Sequence, residues 1–303
     1  MDWTTQIDNL TKEMGMRCLC DEPMSRHTFF RIGGPAKRLA CPETEEQLVQ
    51  LLEAAAAMGA PTFILGNGSN LLVSDGGLDR LVIDTSAAMT RLEAGEDGRI
   101  TASAGVVLAR LADFACKLSL TGLEFAHGIP GTVGGAVCMN AGAYDGDMKQ
   151  VLESVRVWVP GEGVREFSLE ELNLSYRHSI FTDRPDLVVL GATVRLRNGD
   201  PEAIRERMRE LMARRKEKQP LEYPSAGSTF KRPEGYFAGA LIEQCGLKRF
   251  TVGGAQVSEK HAGFVINIGG ATCADVTELI RQVQEIVLDK TGVQLEPEVR
   301  VIG

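Results

Sequence analysis

The sequence predicts an α+β protein built in successive segments, on three observations. Near the start, a helical stripe, a short apolar run and a glycine-rich turn follow one another as in a βαβ unit. In the middle third, strand-like runs are joined by Asp-Gly and Pro-Gly turns, the mark of antiparallel pairs. In the last third, two helical stripes with clear start signals precede a closing strand-like run.

Each element rests on its own residues. A short N-terminal helix precedes the βαβ-like pattern, which begins near Phe29. Thr44 and Gln47 form a capping box for a helix through Met58, with Leu48, Leu51, Leu52 and Ala55 on one face, and Gly59 stops it. Pro61 to Gly66 reads as a buried strand feeding a glycine loop, and Leu81 to Asp84 as another strand. A hairpin is expected around Asp97-Gly98, then an amphipathic helix from Leu108 to Leu118. Val155 to Phe167 is a second hairpin, turning at Pro160-Gly161-Glu162-Gly163, and Leu187 to Arg197 is a long strand. Asn198-Gly199-Asp200-Pro201 joins turn residues to a helix start with proline in first position. That helix runs to Lys218 with Ile204, Met208, Leu211 and Met212 at helical spacing. Its arginines alternate with Glu202, Glu206 and Glu210, which predicts a solvated ion-pair face rather than an anion site. A capping box at Thr272 and Asp275 opens a last helix, ended by Gly292. Val293 to Gly303 then reads as a strand, with Glu298 and Arg300 on one side and Val299 and Val301 on the other. The domains expected are 1–88, 89–199 and 200–303.

Two loops carry most of the chemical information. Gly122 to Tyr144 places Gly128, Gly131 and Gly134 at every third position, adds Gly135, and continues with small residues. Leu65 to Gly77 repeats the chemistry with Gly66, Gly68, Ser69 and Asn70. Glycine at this density leaves backbone N–H groups bare, so that an anion can approach where a Cβ would block it. Either loop alone reads equally well as a tight turn; the pair suggests a long ligand with a pyrophosphate in its middle. The first loop lacks the third glycine of a Rossmann fingerprint, and Gly131-Thr132-Val133-Gly134-Gly135 precedes no lysine as a P-loop would.

Composition removes other classes. The 303 residues are 44% hydrophobic and 24% charged, as in an ordinary globular protein of two or three domains. A formal charge of −8 argues against a nucleic-acid binder. No apolar run approaches the roughly 20 residues of a membrane span, and the acidic start does not resemble a secretory signal. The seven cysteines form no CxxC pair, which points to reduced thiols in the cytoplasm. The four histidines are dispersed, so no metal is expected. Those at 127 and 178 flank the motifs, but lone histidines are more often structural.

Phe29 to Gly33 (FRIGG), GNGSNLL, GIPGTVGGAVCMNAGAY, SYRHSIF, SAGSTFKRP and LEPEVRVIG occur in this order over nearly the whole chain. Together they closely resemble the UDP-N-acetylenolpyruvoylglucosamine reductase (MurB) family. The segment after SYRHSIF is short, similar to the family's shorter-loop form, so no loop tyrosine is carried over. The resemblance implies an FAD-binding fold of the vanillyl-alcohol-oxidase type in two subdomains, followed by an α+β substrate domain. It also implies NADPH-dependent reduction of an enolpyruvyl ether to a lactyl ether in peptidoglycan precursor synthesis. No obligate protein partner is evident.

The family's motifs then assign roles. Ser228 resembles the proton donor, a position where some members carry cysteine. Arg177 resembles the cation on the substrate carboxylate, where a planar fork suits bidentate binding. Glu298 resembles the acid that steadies the enolate, a role favoured by a raised pKa. Strand alternation cannot choose it over Glu296; only the motif does. Tyr176 and Lys218 are substrate-contact candidates. For FAD the candidates are Gly66, Asn67, Gly68, Ser69, Asn70, Gly131, Thr132, Gly134 and Gly135, with Asn140 and Arg31 behind them. No histidine follows the first loop, so dissociable FAD is expected. Two other readings remain open. An FAD-dependent oxidase or dehydrogenase on the same scaffold leaves Ser228, Arg177 and Glu298 without joint purpose. A nucleotide-binding regulator needs no proton donor at all.

Overall fold

The computed structural model describes residues 2–87 and 89–303. The chain forms two compact units: Met1–Cys20, Arg38–Asn67 and Arg80–Arg214 make the first, and Asp21–Lys37, Gly68–Asp79 and Arg215–Gly303 the second. The division differs from the expected cut at 199/200. Ile204 and Met208 belong to the first unit's core, so most of the Pro201–Lys218 helix goes with that unit.

In the first unit a sheet orders its strands Arg17–Pro23, Pro35–Cys41, Leu78–Asp84, Thr62–Leu65, the last two parallel. Their ends continue into the second unit's segments. Helix Glu45–Met58 buries Leu48, Leu51, Leu52 and Ala55 beside Ile7, Leu81 and Ile83. The Thr44 hydroxyl accepts from the Gln47 N–H as expected, but the Gln47 side chain accepts from the Glu43 N–H and not from Thr44. The second sheet is wholly antiparallel, in the order Gly163–Ser168, Leu152–Val159, Val188–Arg195, Arg99–Ser103, Leu92–Ala94. Both expected hairpins are in it. Helix Leu108–Lys117 contributes Leu108, Leu111, Ala112 and Ala115 to the core of this part. The arginines of Pro201–Lys218 pair with glutamates three or four residues away, as the solvated-face reading requires.

In the second unit the long helix Cys273–Thr291 lays Val276, Leu279, Ile280, Val283 and Val287 into a core with Ile242, Ala255 and Val265. Its capping box is complete at Thr272 and Asp275, and Gly292 closes it at φ 71°. Amides of Thr272 and Gly254 hold the Asp275 carboxyl below its ordinary value. Its first two amides have a further partner. Cys273 N–H and Ala274 N–H donate to the Asp75 carboxylate at 2.7 and 3.0 Å. Asp75→Ala is therefore expected to cost about 1–2 kcal/mol and lower the Tm by a few degrees, read from thermal melts. Asp79→Ala, which removes an exposed pair with Lys37, serves as the near-neutral comparison.

The end of the chain departs from expectation. Only Arg300–Ile302 is a strand, parallel to Leu71–Val73 in the register Arg300↔Leu71. Val299 is buried, whereas Val301 is 52% exposed.

Candidate active site

The two glycine loops meet within the first unit. A Cβ on Gly66 would lie 2.5 Å from the Thr132 hydroxyl oxygen. The Asn67 side-chain amide donates to the Pro130 carbonyl at 2.8 Å. Main-chain N–H groups of Gly66, Asn67, Gly131 and Thr132 have no acceptor among the described residues. Unpaired amides at this density are stable only where an anion or solvent can take them, so this part fits a pyrophosphate-bearing cofactor such as FAD.

The same loop corrects two expectations. The Gly134 N–H donates to the Ala104 carbonyl at 2.8 Å, so its amide is not available to a phosphate. The Gly135 N–H faces the Thr132 hydroxyl at 3.5 Å, as in a helix cap. The polar side-chain atoms of Asn140 are likewise engaged within the protein. The residue is 2% exposed, and its side-chain oxygen accepts from the Lys149 N–H while its nitrogen donates to the Ser175 carbonyl.

Arg177 sits in the same unit, on a tight turn closed by mutual backbone bonds between Ser175 and His178. Its φ is 55°, its Nη2 donates to the Gly142 carbonyl at 3.1 Å, and its guanidinium lies 5.2 Å from the Tyr176 ring centroid. Tyr176 is 55% exposed. His178 is held by Asp183 at 3.1 Å, the structural use expected of it. His127 Nδ1 lies 3.4 Å from Asp113 but is buried without a well-aligned hydrogen bond.

The rest of the first loop belongs to the second unit. Gly68 has φ 62°, and a Cβ there would fall 2.0 Å from the His27 carbonyl oxygen, so only glycine fits. Its carbonyl accepts from the Phe29 N–H, which sets the Thr28–Ile32 turn, with Arg31 at φ 55°, against the loop. Gly68 and Ser69 N–H have no acceptor among the described residues. The Asn70 side-chain nitrogen donates to the Glu298 carbonyl at 3.1 Å, and its own carbonyl accepts from the Arg300 N–H.

Ser228 and Glu298 come together in this unit through a residue that sequence reasoning missed. Thr229, 2% exposed, accepts the Glu298 N–H on its carbonyl at 2.8 Å and the Val265 N–H on its hydroxyl at 2.9 Å. Ser228 pairs with Phe264 and Phe230 with Pro297 as antiparallel bridges on either side. Nothing in Ser228-Thr229-Phe230 marks the middle hydroxyl as the structural one before it is seen buried. The two glutamates of the closing segment differ in their surroundings. Glu296 is exposed and paired with Lys231, whereas Glu298 is half-buried. His261 packs its ring on Phe264 at 4.9 Å, and burial, with the Lys248 and Lys218 charges, pushes it below the ordinary imidazole value.

Among the described residues no cluster of His, Cys, Asp and Glu is arranged to hold a metal. No helix among them is long and apolar enough to cross a membrane.

Comparison with known proteins agrees over both units. Residues 36–168 match the FAD binding domain family, and residues 219–302 match the C-terminal domain of UDP-N-acetylenolpyruvoylglucosamine reductase. The chain is 50% identical over 283 residues to the reductase of that name from Caldanaerobacter subterraneus, covering 93% of each. It is 50% identical over 311 residues to the one from Agathobacter rectalis, covering 99% of this chain and 98% of that protein. The crystal structure of the Thermus caldophilus reductase (MurB) superposes with a TM-score of 0.80 at 37% identity, over 95% of this chain and 99% of that one.

Proposed function

The chain belongs to the UDP-N-acetylenolpyruvoylglucosamine reductase family, and on that premise we propose how its residues share the reaction. It is an FAD-dependent oxidoreductase of peptidoglycan precursor synthesis. The substrate is the enolpyruvyl ether of UDP-N-acetylglucosamine, the product UDP-N-acetylmuramate and the reductant NADPH, all in the cytoplasm. Bound FAD would supply the hydride chemistry that links NADPH to the enol ether.

The protein residues handle the charge this leaves. Arg177 binds the substrate carboxylate through its planar fork. As the C=C bond accepts hydride at its terminal carbon, negative charge moves onto the adjacent carbon and its carboxylate. Glu298 holds those oxygens in the enolate form. Ser228 then delivers its hydroxyl proton to the carbon beside the carboxylate and is reprotonated from solvent. Tyr176 and Lys218 add substrate contacts. Amides of Gly66, Asn67, Gly68, Ser69, Gly131 and Thr132 hold the cofactor's diphosphate, with Arg31 behind them.

The observation that supports this reading most is the Thr229 tie. It brings a hydroxyl and a carboxyl from positions 70 residues apart onto adjoining backbone, the pair that proton delivery to an enolate needs. The test is an absorption spectrum of the purified protein, then anaerobic titration with NADPH and with the enol ether. Flavin bands should bleach with NADPH and return with the enol ether. Bleaching without return would favour a different FAD-dependent oxidase or dehydrogenase. A colourless protein that takes up no FAD would leave the flavoenzyme reading without support.

A further inference from the structure

We infer that Asn140 is a positioning residue for Arg177, an inference that rests on the substrate role proposed for Arg177 above. Asn140 follows the short helix Val133–Cys138 that leads out of the second glycine loop, and it adopts φ 40°, a conformation asparagine tolerates. Its polar side-chain atoms are taken within the protein. Nδ2 donates to the Ser175 carbonyl at 3.0 Å and lies 3.5 Å from the Asp147 carboxylate, and Oδ1 accepts from the Lys149 N–H at 2.9 Å.

Ser175 is the first residue of the turn that presents Arg177. Its carbonyl therefore accepts twice, from the His178 N–H across the turn and from Asn140 beneath it. Two more bonds pin the same turn to the same base. The Lys149 ammonium donates to the Leu174 carbonyl at 3.1 Å, and the Ser179 hydroxyl to the Cys138 carbonyl at 2.7 Å. Arg177 reaches back to the Gly142 carbonyl, two residues past Asn140. The asparagine thus joins the trailing end of a cofactor loop to the turn that aims the guanidinium. A bidentate fork gains its strength from alignment, and an error of about 1 Å can cost about 100-fold in rate. In place of the Nδ2 donor, an aspartate would set an acceptor against the Ser175 carbonyl and a like charge beside Asp147.

The experiment uses the FAD-loaded protein as Asn140→Asp, with Lys149→Ala as a surface variant that cuts the Leu174 tie and Arg177→Ala as reference. Four quantities are read: FAD retention, flavin reduction by NADPH, flavin reoxidation by the enol ether, and inhibition by UDP-N-acetylglucosamine, which has no carboxylate. Asn140→Asp should keep the first, second and fourth and slow the third about 10–100-fold. Lys149→Ala should slow the same step by less and touch nothing else. A purely structural role would weaken FAD retention or shift both nucleotide ligands together, and either result overturns the inference. If Arg177→Ala slows reoxidation while both other variants reoxidise normally, the positioning role alone fails. If Arg177→Ala also reoxidises normally, the proposed role of Arg177 fails with it. Should Asn140→Asp not fold, Lys149→Ala decides: a normal reoxidation rate in it overturns the inference.

Discussion

Ser228→Ala is expected to leave reduction of the flavin by NADPH intact and to slow reduction of the enol ether by about 10²–10⁴-fold, the contribution of a positioned proton donor. The variant is suited to the question because the segment is held by groups other than the serine hydroxyl. Backbone bonds of Thr229 to Gly263 and Glu298, and the Thr229 hydroxyl on Val265, all remain. Ser228 is only half-buried, and alanine leaves no cavity. Stopped-flow measurement of each half-reaction separates the outcomes. If both steps slow together, the fault lies in folding or flavin binding; if neither does, Ser228 is not the donor. Ser228→Cys should recover much of the second step, because a thiol offers a proton at the same place.

Glu298→Ala carries the second large effect. It should slow the enol ether step by about 10²–10³-fold, the scale for loss of one group that stabilises a developing oxyanion. Glu296→Ala is the built-in contrast. That carboxylate is exposed and paired with Lys231, and pairs of this kind contribute little, so the kinetics should barely move. Equal effects at the two positions, in steady-state assays, would remove the assignment of the acid to Glu298.

How much of this was legible beforehand follows from what each signal reports. Helices with caps were read closely, because capping residues and a 3.6-residue apolar stripe are local properties: Thr44, Gly59, Thr272 and Gly292 all stand where their chemistry demands. Strand Arg17–Pro23 went unread because its side chains are all at least partly exposed and show no alternation. Hairpins announced themselves at Asp97-Gly98 and Gly161, where the backbone is left-handed. At the site, residue types and order pointed to Ser228, Arg177 and Glu298, but the connections did not show. Whether an amide in a glycine loop is unpaired depends on a carbonyl elsewhere in the fold, as Ala104 does for Gly134. Whether an asparagine faces a ligand or a turn depends on what buries it, as Ser175 and Lys149 do for Asn140. Such facts are tertiary, and motif spacing carries none of them.

The parallel pairing of Arg300–Ile302 with Leu71–Val73 also has a meaning in time. Asn70 and Glu298 stand 228 positions apart, so at ribosomal speed their bond must wait about 10 to 50 seconds after Asn70 is made. Through that interval Leu71, Leu72 and Val73, all buried in the finished fold, lack the strand that covers one edge. An uncovered apolar edge is a template for association with other chains. The nascent protein is thus exposed to aggregation until the Arg300–Ile302 strand has docked. Chaperone demand during synthesis should fall once the 300–302 segment has emerged and docked.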